Sequence, residues 1–249
     1  MRKQILLLPL AALLWPLHMA GQDAHEIVKK AEDKLRGNTS RSEIRVTIVR
    51  PRWTREMTLT TWSKGDDYSM ILITSPQRDA GQAFLKRGNE IWNWVPSIER
   101  VIKMPPSMMM QSWMGTDFTN DDLVKESNKA DDYTQRIVGD SVIDGRNCYK
   151  IEMIPKPDAA VVWGKVLLWI DKKDYMELRS EFYDEDGFLV NIMVSDRVKM
   201  LGGRLLPSRL TMMPLEKPGN KTIMELLDIT FDQPIPDDFF TTRNMKTLH

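Results

Sequence analysis

Reactive side chains are sparse in this 249-residue chain, and their placement excludes more chemistry than it suggests. The three histidines stand at positions 18, 25 and 249. No pair of them has the spacing of a zinc site, and none is placed to serve as the base of a serine or cysteine triad. The one cysteine, Cys148, lies in an alternating apolar stretch, where a thiol reads as a packing group, and alone it cannot form an internal disulfide. What remains is a carboxylate cluster, Asp117, Asp121 and Asp122. Two carboxylates can share acid and base roles in a hydrolase, but no histidine, metal cluster or nucleophile elbow accompanies these. Helix capping is the simpler reading, because Thr119 followed by Asp122 approximates a capping box with Leu123 and Val124 as the first apolar pair.

These carboxylates close a segment, residues 103–123 (KMPPSMMMQSWMGTDFTNDDL), that departs from everything around it. Pro105 and Pro106 lack backbone donors and end any strand ladder. Met108, Met109, Met110, Trp113 and Met114 then follow within seven residues, with Phe118 just beyond. Methionine is unbranched and polarizable, and clusters of it suit surfaces that accept apolar partners of variable shape. These six side chains are the candidates for a lipid-binding lining or its lid. An ordinary core-covering loop is the competing reading. Trp92 and Trp94, on one strand face, read first as core and second as further lining.

The elements that must position this segment are mostly strands. A helix comes first: Asp23 and Glu26 give an N-terminal capping signature, Ile27, Ala31 and Leu35 share a face with Ala24 and Val28 beside them, and Gly37 stops it. Alternating segments follow at 44–48, 57–62, 68–74, 82–86, 90–95 and 98–103. After the methionine segment the alternation resumes at 133–143, 147–154, 165–171, 176–183, 188–199, 205–213 and 221–231. Turns such as Asp144-Gly145, Asp186-Gly187 and Gly202-Gly203 separate neighbours, so the sheet is antiparallel by adjacency. About a dozen strands rarely stay flat, since strand twist accumulates. The expected fold is mainly β (α+β), a strongly curved antiparallel sheet with the first helix and the 108–124 segment on its concave side.

Residues 1–21 read as a signal peptide: Arg2 and Lys3, an apolar run from Ile5 to Leu17, and a small-residue cleavage zone at Ala20-Gly21. Cleavage there leaves residues 22–249 as a single domain that leaves the cytoplasm. No cysteine lies near the cleavage zone to receive a lipid, and no later stretch approaches the ~20 apolar residues of a membrane span. Lysine plus arginine and aspartate plus glutamate both number 35. Losing Arg2 and Lys3 therefore leaves a formal charge of about minus two, with no basic surplus for nucleic acid or anionic headgroups.

The order of features also resembles a known family. A helix ending in Arg-Gly, a strand meander, Trp-x-Trp-x-Pro at 92–96, Arg-Val-Ile-Lys at 100–103, the 105–123 motif and WIDKKDYMELRSEFYDEDG at 169–187 together are similar to the outer-membrane lipoprotein-sorting proteins, in a LolA-like branch. The resemblance implies an unclosed β-barrel whose cavity is lidded by helices. It implies a non-enzymatic periplasmic carrier without cofactor or metal, receiving acyl chains of lipoproteins or another lipid from an inner-membrane transporter and passing them towards an outer-membrane acceptor. Burial of an acyl chain gains roughly 0.8 kcal/mol per methylene, so affinity is easily reached and release is the harder task. A methionine-rich lining that repacks suits release. The alternative is an interaction module beside such a transporter, using the same apolar segment for docking without carrying lipid.

Overall fold

The computed structural model describes residues 23–125, 129–159 and 161–248. The signal segment expected at 1–21 lies outside the described residues. Helix α1 (Ala24–Arg36) starts at Asp23, whose side chain accepts from the His25 backbone N–H at 3.0 Å. It ends at Gly37, whose φ of 65° favours a residue without Cβ, and a Cβ there would meet the Phe231 ring at 3.0 Å.

Thirteen strands then form one antiparallel sheet: β1 (Thr39–Arg50), β2 (Trp53–Lys64), β3 (Tyr68–Ser75), β4 (Ala83–Arg87), β5 (Glu90–Val95), β6 (Arg100–Lys103), β7 (Tyr133–Ile143), β8 (Arg146–Pro155), β9 (Lys165–Asp171), β10 (Glu177–Tyr183), β11 (Leu189–Leu201), β12 (Arg204–Pro214) and β13 (Lys221–Phe231). Their order is β6-β5-β4-β3-β2-β1-β13-β12-β11-β10-β9-β8-β7. Every neighbour is the next strand in sequence except where β1 meets β13, which joins two meanders into one sheet. The sheet does not close, because β6 and β7 are its two edges. This agrees with the mainly β, unclosed architecture expected.

Alternation decides what each face carries. On β1, Val46 and Ile48 are buried inward beside Met57 and Leu59 of β2 and Ile73 of β3. Strand β3 is buried on both faces: Ile71 and Ile73 look to the concave side, Met70 and Leu72 to the convex side, where the C-terminal chain with α3 (Thr242–Met245) covers them. In the second meander, Ile151, Met153, Val166, Leu168 and Ile170 form the concave core against Ile27 and Val28 of α1. Cys148 lies on the other face, fully buried with Leu167, Trp169, Met176 and Leu178. Leu35, expected on the buried stripe of α1, is 45% exposed because the last turn of the helix runs out over a cavity mouth.

Candidate lipid-binding cavity

Residues 104–125, which follow the edge strand β6, cross the concave side. The segment opens with Met104, buried behind β5, after which Pro106–Met108 and Trp113–Gly115 each form a single tight turn. The loop then bonds to itself. Trp113 N–H donates to the Phe118 carbonyl at 2.9 Å, Asn120 N–H to Gln111 at 2.9 Å, and Asn120 Nδ2 to the Met108 carbonyl at 2.8 Å. The capping box expected at Thr119 is formed in both directions: Thr119 N–H donates to Asp122 Oδ2 at 2.8 Å, and Asp122 N–H to Thr119 Oγ1 at 3.1 Å. One wide turn, Asp121–Lys125, follows, then the short helix α2 (Lys129–Asp132). Asp122 also accepts from Trp163 Nε1 at 3.1 Å, so its carboxylate is fully used in holding structure.

Self-bonding of this kind turns the segment into a compact cover with Trp113 and Phe118 pointing in. Both are buried and line a cavity of about 350 Å³ enclosed by α1, the cover and the concave face. Met109 is buried in the cluster with Val46, Ile48 and Met57, and Met108 and Met114 pack half-buried against that cluster. Met110 is 71% exposed. Trp92 and Trp94 pack with Phe240 and Met245 on the convex face, away from the cavity. Sequence reasoning thus singled out Trp113 and Phe118, but it missed the floor: Ile44, Leu59, Ile71, Met193, Met212 and Met224 come from six different strands. No local motif signals residues that converge from so many strands.

Two arginines that no motif marked fasten the cover to the β1–β2 hairpin. Arg50 pairs with Asp117 at 2.9 Å, with both side chains largely buried, and also donates to the Gly115 carbonyl at 2.9 Å. Arg55 donates to the Met114 carbonyl. Thr222 of β13 completes the attachment, donating from Oγ1 to Asp117 Oδ2 at 2.7 Å and accepting from Asp117 N–H at 2.9 Å. Charge-assisted bonds of this kind are stronger than neutral ones. The backbone between them is unusual, since Met114 has a φ of 50°. Trp113 Nε1 is buried without a hydrogen-bond partner among the described residues.

The rim under α1 is polar. Glu32 accepts from the backbone N–H groups of Lys129 at 2.9 Å and Ala130 at 3.4 Å, while Lys129 Nζ donates to Glu177 at 2.8 Å. Burial pushes the Glu32 carboxyl above its ordinary range, against the pull of Lys129. Burial would lower the Lys129 ammonium, but Glu177, with help from Glu32 and Asp122, more than reverses this and raises it. Burial and the nearby Asp121 and Asp122 raise the Tyr133 phenol. Of these, the Lys129 shift favours the charged form that pairs with Glu177, whereas the Glu32 and Tyr133 shifts favour their neutral forms. Among the described residues, no group of histidine, cysteine and carboxylate side chains could hold a metal ion.

A family model described as "-like: Uncharacterized protein" matches residues 65–247. The chain belongs to that family and is LolA-like in fold. The fold rests on solved structures: a LolA superfamily protein from Nitrosomonas europaea (24% identity, TM-score 0.78, covering 90% of this chain and 100% of that one), an outer membrane lipoprotein-sorting protein domain from Vibrio parahaemolyticus (20%, 0.80, 90% and 98%), and a DUF1329 family protein from Desulfovibrio piger (22%, 0.80, 89% and 97%). No curated protein matches the chain significantly. The LolA-like sheet is thus reproduced over nearly the whole length of each of these three structures. Among the described residues, no helix of this LolA-like chain is long and apolar enough to cross a membrane.

Proposed function

We propose that this LolA-like protein is a non-enzymatic periplasmic carrier that takes acyl chains, of lipoproteins or of another lipid, into its cavity and shuttles them towards the outer membrane. The observation that carries the reading is the cavity itself: about 350 Å³ of mostly apolar space under a fastened cover, within the size range of pockets that bury small ligands. In the proposed cycle Trp113 and Phe118 contact the chains, while Met108, Met109 and Met114 let the cover repack around them. In this reading Met110, exposed on the cover, meets a donor at the inner membrane or an acceptor at the outer membrane. Residues 1–21 act as the export signal, and the carrier is residues 22–249.

The test is mass spectrometry of an organic extract from protein purified out of the periplasm, alongside binding of the fluorescent probe 1-N-phenylnaphthylamine. The expected result is a co-purifying acyl lipid, and a probe signal that lipid displaces. An extract free of lipid together with no probe binding would overturn the carrier reading in favour of a docking module.

A further inference from the structure

The cavity floor is not uniformly apolar. Along β1 the inward positions read Ser40, Ser42, Ile44, Val46, and the partners on β2 are Ser63, Thr61, Leu59, Met57. Strand β3 extends two of these rungs, since Ser69 lies opposite Ser63 and Ile71 opposite Thr61. Two adjacent rungs are therefore built from small hydroxyl residues, and the next ones are aliphatic. Ser40 and Ser63 bond to each other, with their oxygens 2.8 Å apart. Ser42, Thr61 and Ser69 line the cavity, yet their hydroxyls have no hydrogen-bond partner among the described residues. Ser42 and Ser69 are each 94% buried as residues, at 6% exposure.

These hydroxyls border open cavity space that water can fill, and a wholly apolar occupant would displace that water and leave them unpaired, a cost that alanine would not incur. A ligand that bonds to them accounts for their presence. The charges on the lining narrow its chemistry. Its cations, Lys34, Arg36 and Lys129, come from α1 and α2 and not from these rungs, and two are engaged: Arg36 with Asp66, Lys129 with Glu177. Four carboxylates, those of Glu32, Asp121, Asp122 and Glu177, share the same lining. An anionic head seated on the rungs would gain no cation there, and the carboxylates elsewhere on the lining are already bonded, Glu177 to Lys129 and Asp122 to Trp163 and Thr119.

Resting on the carrier reading, we infer that the polar head of the cargo enters the cavity, and that it is an uncharged acyl ester of a polyol. Its hydroxyl and ester oxygens sit on Ser42, Thr61 and Ser69, and its chain runs past Ile44 and Leu59 to Trp113. A monoacylglycerol is the simplest member of this class. A carrier that gripped acyl chains alone, leaving the head outside, has no use for the rungs.

The experiment compares monoolein with oleate as displacers of 1-N-phenylnaphthylamine, in the wild type and in the triple variant Ser42→Ala, Thr61→Val, Ser69→Ala. The wild type should prefer monoolein. The variant should lose about tenfold in monoolein affinity while oleate affinity stays within about twofold, as removal of two or three hydrogen bonds would give. Oleate preferred by the wild type, or unchanged monoolein affinity in the variant, overturns the inference and leaves the carrier reading standing, provided the probe binds. Failure of the probe and of both lipids to bind sinks the two together. Should the triple variant fail to fold, Ser69→Ala alone, read by the same monoolein-to-oleate ratio, decides the matter: a ratio equal to the wild type's counts against the rungs.

Discussion

Strands β3 to β5 carry an apolar, aromatic-rich cluster on each face, and the two are covered in opposite ways. On the convex side Trp92, Trp94, Met70 and Leu85 are covered by the C-terminal chain, where Phe240 and Met245 are fully buried and Phe240 lies 5.3 Å from the Tyr68 ring. On the concave side Ile71, Ile73 and Phe84 meet Trp113 and Met109 from the 104–125 cover, with Trp113 and Phe84 rings 5.6 Å apart. Burial is equally deep on both. In the convex cover the Phe240 side chain, fully buried, has no polar atom to satisfy. The concave cover roofs open space, holds Met114 at positive φ and leaves Trp113 Nε1 without a partner among the described residues. Depth of burial, then, does not distinguish the two covers. What distinguishes them is whether the cover's own bonds are complete.

The sharpest way to break this comparison is a pair of truncations. Phe240→Ala should cost about 3–5 kcal/mol by urea denaturation, as loss of a packed aromatic does. Trp113→Ala removes a larger side chain but should cost less, about 2 kcal/mol, because it enlarges an existing cavity and removes an unsatisfied donor. Equal or reversed costs would make the concave cover ordinary core. Probe binding should change only in the Trp113 variant.

Arg50→Ala comes next. It leaves Asp117 largely buried with Thr222 as its remaining partner, and the loss should be about 2–3 kcal/mol. Hydrogen exchange in residues 109–122 should rise well before exchange in β1 and β2 does. Uniform acceleration across both regions would show that the cover and the sheet open as one unit.

Cys148→Ser tests the convex face of the other meander. Its thiol is buried with Leu167 and Trp169, and burial raises its pKa, which keeps it an unreactive thiol. A cost of about 1–2 kcal/mol with unchanged lipid binding is expected. Altered binding would mean that the convex face communicates with the cavity.

The smallest effect concerns pH. Glu32 has a folded pKa raised above its unfolded value, so the folded state binds the proton more tightly. Its contribution to stability is fully present below the unfolded value and is lost as pH rises through the folded one. Glu32→Gln should flatten that slope by less than about 1 kcal/mol, most visibly in exchange of the 129–130 amides that it accepts from. A wild-type slope of the opposite sign would contradict the assignment.

Much of this was legible in the chain, and the gaps have a common cause. Strands 133–143, 165–171 and 221–231 were readable to the residue because polar or turn residues bound each apolar stretch, although 165–171 is a continuous apolar run buried on both faces and not an alternation. The first strand reads as starting at Ile44, yet β1 begins at Thr39. Ser40 and Ser42 point inward but are not apolar, so the period-2 signal falls silent over the very residues that make the cavity's hydroxyl rungs. Trp92 and Trp94 show the converse. Their spacing fixes that they share a face, but not which face, since β3 to β5 are covered on both sides. Arg50 and Arg55 carry no signature because their partners, Asp117 and the Met114 carbonyl, are about sixty residues distant along the chain.

The order of the sheet has a mechanical consequence. A hoop under internal load fails at its gap, and here the gap lies between β6 and β7, the two ends of an otherwise continuous series of ladders. The strip of chain that bridges those ends is the same one that roofs the interior. Swelling from within is therefore resisted by backbone ladders everywhere except along that strip, which is held by side chains, Arg50, Arg55 and Thr222 on one flank and Trp163 and Glu32 on the other. Girth and access are set by one piece of chain, so a bulkier occupant loosens its own enclosure.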